Sequence, residues 1–410
     1  MTQPTMPDIT SLIGYNPLDP DFRRNPYPHY ARLRERAPVF HTALGFWLIT
    51  GYEQSVTALT SDKFGYPRAG EMPPGGALPG GFENQRNFLI FMNPPDHTRM
   101  RGHVRATLSP KVVHQLRPYV ERAAARALDE AFAAGPEADL ISSYAHKLPF
   151  GTISELLGVP DADRPTVMRW AQLYIDGISP SFMTATDTGQ QRDEALAQLN
   201  GYFVKLAEQR RTDPKADMLS EFVDIREHGE MSEDELIGTC VLLFVAGHTT
   251  TTNLIGNSIV ALLRNPGELN RFRTDDGLES SAIEELVRYD TPTQMSFRVA
   301  FDDVDFGDGM VIAKGDQVLV NRGAANYDPA AFADPDRLDL GRPDNRHVGF
   351  GTGIHVCVGS ALARLQARVA LTTLFGRYPD VALAADEFEY HESLVVRGVK
   401  ALPVRIGATS

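Results

Sequence analysis

Cysteine is nearly absent from the 410 residues: Cys240 and Cys357 are the only two. A disulfide framework is therefore excluded, and a reducing cytoplasm is the expected location. No run approaches the roughly 18 consecutive apolar residues of a membrane span, so no membrane anchor is expected. Basic charge is short as well, 40 Lys and Arg standing against 53 Asp and Glu for a net charge of -13. That balance argues against nucleic acid or an anionic membrane as a general partner, because both repel an acidic protein at long range. Internal repeats and domain-separating linkers are missing too, which makes one domain over 1–410 the expectation. Residues 1–15, polar and proline-bearing, are expected to form a flexible N-terminal segment.

What is present is globular and mostly helical. The 42% hydrophobic and 23% charged composition suits a large soluble core. Helical spacing runs from Pro110 to Ala134 and from Asp193 to Thr212, whereas "FWLITGYEQ" and "VIAKGDQVLVNRG" read as short strands. Two Gly- and Pro-punctuated stretches, Gly65 to Gln85 and Asp176 to Gln191, read as loops placed to act as binding lids.

One helix is built against its own propensity. Ser232 and Glu235 form a capping box and "RNPG" from Arg264 ends the helix, which predicts about 31 residues, or ~47 Å. Its centre reads "FVAGHTTTTN", with glycine costing about 1 kcal/mol relative to alanine and each threonine adding a few tenths. Threonine hydroxyls can bond back to carbonyls one turn earlier, so a groove at the middle of the domain is expected there.

The C-terminal third holds "GFGTGIHVCVGSALARLQARVA". Gly351, Gly353 and Gly359 let the chain wrap Cys357 closely, and backbone N–H groups with the following helix N-terminus favour a thiolate. Zinc would need two ligands beyond His355 and Cys357, and a phosphate loop would need a Lys-Ser/Thr ending that this stretch lacks.

Phe350, Gly351, Gly353, His355, Cys357 and Gly359 match the haem-binding signature F-G-x-G-x-H-x-C-x-G, and on them the chain resembles the cytochrome P450 family. The resemblance implies that Cys357 is the axial thiolate ligand of haem iron, haem b being the usual form. Further motifs follow in family order, from "NPYPHYARLRERAPVF" to "RGVKALPVRI". Glu285 and Arg288 in "EELVRY" resemble the family's buried E-x-x-R pair, expected on a helix opened by a second capping box at Ser281 and Glu284, with Arg337 of "DPDR" as third member. His97 and Arg101 resemble haem-propionate partners, as do Arg298 and His355. Ala246, Gly247, His248, Thr249 and Thr250 match the central A-G-x-(D/E)-T motif. By that match small Ala246 and Gly247 let haem and oxygen approach, and Thr250 handles dioxygen and protons. Thr249 stands where the family carries an acid.

The implied fold is mainly α with a minor β region, a single haem-containing domain. The implied reaction is monooxygenation at a C–H or C=C bond of a hydrophobic small molecule, most like the tailoring of polyketides or other secondary metabolites. Desaturation, oxidative coupling, peroxide-driven oxidation and a non-catalytic haem sensor are the alternatives. Electrons are expected from a ferredoxin and its NAD(P)H-dependent reductase, with O2 as oxidant and a monomeric enzyme. Arg364 and Arg368 are candidates for a positive docking surface. By family placement, substrate contacts are expected from Phe91, Phe244, Val245, Thr293, Met295, Leu394 and Val395.

Overall fold

The long central helix spans Glu233–Arg264, one residue more than expected at 32 residues. Ser232 Oγ accepts from Glu235 N–H and the Glu235 carboxylate accepts from Ser232 N–H, so the predicted capping box is formed. Two hydrophobic cores meet along this helix. Leu236 to Val245 pack into one, with Phe203, Phe222 and Tyr174; Leu254 to Leu262 pack into the other, with Leu286, Leu371 and Phe375. The small and polar stretch 246–253 falls at the seam between them. Helix propensity is overridden there because burial on both sides fixes the helix independently of its middle.

In this computed structural model residues 9–67, 85–178, 189–307 and 309–407 are described. Most of both candidate loops, 68–84 and 179–188, lies outside the described residues, and so does the lid function assigned to them. Helix accounts for 56% of the chain, in a single mainly-α domain. No helix among the described residues is long and apolar enough to cross a membrane.

The strands are β1 (Val39–His41), β2 (Trp47–Ile49), β3 (Phe64–Gly65), β4 (Glu137–Asp139), β5 (Met295–Ala300), β6 (Val304–Asp305), β7 (Val311–Ile312), β8 (Gln317–Asn321), β9 (Ala382–Leu383) and β10 (Pro403–Arg405). The main sheet runs β1-β2-β8-β5-β3, with β2 parallel and β5 antiparallel to β8, placing Met295 opposite Asn321 and Phe297 opposite Leu319. A three-stranded sheet β4-β10-β9 and the hairpin β6-β7 complete the β structure.

Several expectations shift at their edges. The helices beginning at Pro110 and ending at Thr212 are present as Pro110–Ala131 and Gly189–Thr212. Only the first part of "FWLITGYEQ" is strand; Gly51 caps a helix over Tyr52–Thr60. The flexible N-terminal segment is corrected for residues 9–15: Ile9–Ile13 form a helical turn, and Ile13 and Tyr15 are buried, Tyr15 stacking on Phe22 at 4.8 Å. Their apolar side chains gain more from burial than the short segment loses in entropy. Ser281 and Glu284 do not cap: the helix begins at Glu279, Ser281 Oγ donates to Leu278 C=O, and Glu284 bonds elsewhere.

Candidate haem and substrate site

Cys357 closes a loop whose shape needs glycine at two points. Gly351 and Gly353 have φ of +70° and +71°, the left-handed region that other residues enter at a cost. A Cβ on Gly353 would also stand 2.5 Å from Leu59 C=O. Cys357 N–H donates to Phe350 C=O at 2.8 Å, folding the loop back on itself. Ser360–Arg377, the helix after it, starts from Gly359, whose N–H meets the sulfur. Cys357 is exposed toward the open cavity, yet the protein around it withdraws the thiol from bulk solvent and pushes it up, while that N–H and the charges of Arg322, Arg101 and Arg364 pull it toward the thiolate. Gly359 itself is ordinary in φ, and a Cβ added there meets nothing within 4 Å. The loop itself therefore does not demand glycine at 359, which borders open space.

That space belongs to a cavity of about 430 Å³ bounded by Cys357, the central helix, β5 and the C-terminal turn. Ala246, Gly247, Thr249 and Thr250 line it, and so do Phe350, Gly351 and Gly359. His97, Arg101, Arg298 and His355 converge at one side. The two imidazoles are 4.2 Å apart, and Arg298 lies over the Tyr66 ring at 4.8 Å. The polar contacts of the two arginines with the protein are to neutral groups: Arg101 to Val356 C=O, Arg298 to Tyr66 Oη and Phe297 C=O. Nε2 of His97 is buried without a partner. Burial and the neighbouring guanidinium charges push His97 down to about 4 and His355 to about 2. Two guanidiniums and two donor imidazoles with no anion opposite form a cradle for carboxylates. Together with an open-faced cysteine, these residues fit a haem with two propionates.

On the central helix the cavity face repeats at Thr239, Leu242, Leu243, Ala246, Gly247, Thr250 and Leu254. The back-bonding expected of the threonines is present: Thr250 and Thr252 donate to Ala246 and His248 C=O at 2.9 Å. Because its proton is used there, Thr250 offers lone pairs rather than a free O–H to the cavity. Thr249 Oγ1 has no partner. A Cβ on Gly247 would come within 3.1 Å of Ile153, so this glycine also permits close packing of Lys147–Leu156, the helix behind it.

Phe91, Val245, Thr293, Met295, Leu394 and Val395 line the cavity as expected. Gln294 N–H donates to Val395 C=O at 2.8 Å, and Thr293 bridges Val396, so the C-terminal turn is tied to the entry of β5. Phe244 is a correction. It is fully buried on the opposite face, against Phe150, Phe203 and His248, because the helical twist turns it about 100° from Val245.

Glu285 and Arg288 form the expected pair at 2.8 Å, both side chains wholly buried. The third member is Arg342, not Arg337. Arg342 Nε lies 3.1 Å from both Glu285 oxygens, whereas the Arg337 side chain is 65% exposed and reaches only Asp339. Arg337 contributes its backbone carbonyl, which accepts from Arg288 and Arg342. The two arginines of the proximal helix are likewise engaged. Arg364 is paired with Glu284 at 2.6 Å and stacked on Phe350, and Arg368 lies 3.6 Å from Glu279, so neither is an unbalanced docking charge. Gln85, the last residue of the candidate loop Gly65 to Gln85, also lines the cavity, as do Arg322 and Gln366, to which the sequence assigns no role. Arg322 follows β8, a strand buried on both faces, and no local pattern marks the residue as one that lines the cavity.

Comparison with known proteins agrees with this geometry. The family profile described as cytochrome P450 matches residues 278–386. Cytochrome P450 107B1 of Saccharopolyspora erythraea is 38% identical over 100% of both chains. Cytochrome P450 monooxygenase PikC of Streptomyces venezuelae is 36% identical over 96% of this chain and 94% of its own. Among solved structures, P450BioI in complex with hexadec-9Z-enoic acid ligated acyl carrier protein superposes with a TM-score of 0.86 at 34% identity, covering 94% of this chain and 99% of that one.

Proposed function

The chain belongs to the cytochrome P450 family and is a haem-thiolate monooxygenase; from that premise we propose that its substrate is an elongated apolar molecule, of polyketide or other secondary-metabolite type, bearing one uncharged oxygen function at its far end. The observation that carries this is the distribution of polarity in the cavity. No Asp or Glu occurs among its described lining residues, and its guanidiniums, Arg101, Arg298 and Arg322, all sit at the cysteine end. At the other end Gln85 and Thr239 are buried lining residues, and Gln85 Nε2 and Thr239 Oγ1 lack partners. Gln85 leads into Asn87, whose C=O would stand 2.7 Å from a Cβ on Gly238, the residue before Thr239. Ten to eleven residues separate Thr239 from Thr249 and Thr250, or ~16 Å at 1.5 Å per residue. Buried donors left unmatched disfavour a hydrocarbon end, and the lack of a cation there among the described lining residues disfavours a free carboxylate.

Haem b would be held by Cys357, with His97, Arg101, Arg298 and His355 as partners for its two carboxylates, and when bound it would supply monooxygenation, in which substrate, dioxygen, two electrons and two protons give oxygenated substrate and water. The protein's own work is placement. Phe91, Val245, Met295 and Leu394 exclude water and align the substrate, Thr250 accepts a hydrogen bond with Oγ1, and Thr249 Oγ1 passes a proton without ionising. With no carboxylate at position 249, waters or a substrate hydroxyl complete that relay. Electrons come from a ferredoxin and its NAD(P)H-dependent reductase in the cytoplasm, the enzyme acting as a monomer.

Calorimetric titration of the purified protein with hexadecane, hexadecanol, methyl hexadecanoate and hexadecanoate tests the substrate class. The neutral oxygen compounds bind at least tenfold tighter than the alkane, and Gln85→Leu with Thr239→Val removes that preference. Tighter binding of the free carboxylate refutes it.

A further inference from the structure

A phenol hydroxyl buried in a protein ordinarily has a hydrogen-bond partner. Eight tyrosines are buried among the described residues, and six of them have a polar partner. Tyr27 donates to Asp290, Tyr144 to Ala370 C=O and Tyr327 to Tyr289 C=O, while Tyr66 accepts from Arg298. The side chains of Asn321 and Arg397 stand beside the hydroxyls of Tyr30 and Tyr390. Tyr15 and Tyr174, 3% and 2% exposed, make no hydrogen bond with the described residues. Both exceptions line the cavity.

They stand on different walls of it. Tyr174 belongs to the helix Arg164–Asp176 and to the hydrophobic core that holds Phe88 and Leu243, its ring centroid 6.4 Å from that of Phe88. Phe88 N–H donates to Gln85 C=O at 2.8 Å, so Tyr174 shares the end of the cavity formed by Gln85 and Thr239. Tyr15 packs in a separate core with Phe46, Leu48, Met295 and Leu394. Gly14, at φ of +86°, ends the helical turn before it, and a Cβ on that glycine would stand 2.9 Å from Leu33. Ala43 N–H on Leu12 C=O ties the segment to the turn between β1 and β2, and Tyr30 meets the Tyr15 ring edge-on at 5.6 Å. Packing thus fixes both rings where no group of the protein satisfies the hydroxyl. Water serves in an empty cavity, but a substrate that expels it has to supply the acceptor itself.

Resting on the substrate class proposed above, we propose that Tyr15 and Tyr174 are specificity-determining residues that donate to acceptor oxygens on two separate limbs of the substrate. Tyr174 joins Gln85 and Thr239 on the first limb, and Tyr15 defines a second, against the main sheet. The ligand class is an apolar molecule with neutral carbonyl, ether or hydroxyl oxygens towards both extremities.

The test is calorimetric titration of the full-length holoenzyme with hexadecane, hexadecanol and the hexadecanediol that carries a hydroxyl on each terminal carbon. Wild type binds the diol more tightly than hexadecanol. Tyr15→Phe, which removes one oxygen and keeps the ring, weakens the diol roughly threefold to tenfold, to the level of hexadecanol. Tyr174→Phe weakens hexadecanol and the diol by a similar factor. Hexadecane binds equally to wild type and both variants, which damaged packing would not allow. A diol that wild type binds no better than hexadecanol, or not at all, overturns the second limb. So does a Tyr15→Phe variant that keeps the full preference or loses hexadecane to the same degree, and unaltered hexadecanol affinity in Tyr174→Phe overturns the part given to that residue. Failure of the underlying substrate class looks different: wild type then binds hexadecanol no more tightly than hexadecane, while the dependence of the diol on Tyr15 is still read.

Discussion

Replacing Arg342 by alanine separates the two candidate partners of the buried Glu285–Arg288 pair. Glu285 is wholly enclosed and accepts from Arg288 Nε and Nη2 at 2.8 Å, Arg342 Nε at 3.1 Å, Asp339 N–H at 3.0 Å and Asn345 Nδ2 at 3.0 Å. Breaking a buried ion pair costs about 3–5 kcal/mol, because the surviving charge stays in low dielectric. Arg288 still neutralises Glu285 in the variant, which places Arg342→Ala at the lower end, about 3 kcal/mol. Arg342 also donates to Asp334 and Arg337 C=O, so the cost extends to the meander that leads into the cysteine loop. Arg337→Ala removes an exposed side chain with one contact at 3.5 Å to Asp339, worth less than about 1 kcal/mol. The assay is urea unfolding followed by circular dichroism, with haem retention recorded in parallel. Arg342→Ala lowers the midpoint and sheds haem early, Arg337→Ala stays near wild type, and Arg342→Lys recovers only part because an ammonium cannot reproduce the forked contacts. An equal or larger loss in Arg337→Ala refutes the assignment.

Three further outcomes follow from the same geometry. Thr250→Ala increases hydrogen peroxide released per NADPH consumed, and Thr249→Glu decreases it; full coupling in Thr250→Ala contradicts the relay. Phe244→Ala loses about 3–5 kcal/mol of stability with the product pattern unchanged, whereas Phe91→Ala changes substrate affinity by at least severalfold, read by ligand titration and product analysis. Glu284 is raised by burial but lowered more by hydrogen bonds from His347 and Arg364, ending at about 2 against an ordinary 4.5. A depressed carboxylate stabilises the fold above its unfolded pKa, so that contribution is full above pH 4.5 and disappears as pH falls toward 2. Glu284→Gln flattens this acid limb in stability-versus-pH curves; an unchanged limb removes Glu284 as its source.

The parts of this protein that were legible in the sequence are those whose chemistry is local. The cysteine loop announces itself because two positive-φ glycines and a ligand must stand within a few residues of one another. The capping box at Ser232 is local for the same reason. Partners recruited across the chain were legible only where a family motif marked them, as for His97, Arg101, Arg298 and His355, and not elsewhere. Arg337 and Arg342 are five residues apart in an irregular meander, and which of them reaches Glu285 depends on turns that no periodicity records. Phe244 and Val245 are adjacent and equally apolar, yet a single helical step sends one to the core and the other to the cavity. Glu279 outcompeted Ser281 for the helix start because Glu284 is drawn to Arg364 and His347, a tertiary contact stronger than a surface cap.

The central helix brings these points together. Its weakest residues lie where two hydrophobic cores stop, so the helix there is held at both flanks and can carry a glycine and four threonines without losing its path. One face of the same stretch is given to Ala246, Gly247 and Thr250, and the opposite face to His248, whose Nδ1 is 2.8 Å from Phe244 C=O. Burial pushes His248 down to about 4, so it remains neutral and turned from the cavity. It cannot replace the missing acid. On the proposed relay, with Thr249 as a hydroxyl and no carboxylate among the described lining residues, protons pass through groups that do not titrate near neutral pH. The wild-type coupling ratio is therefore flat with pH across the carboxylate range, and Thr249→Glu introduces a new inflection, measurable as peroxide yield from pH 5 to 8. An inflection already present in the wild type, and unchanged in Thr249→Glu, would place the proton donor outside this face of the helix.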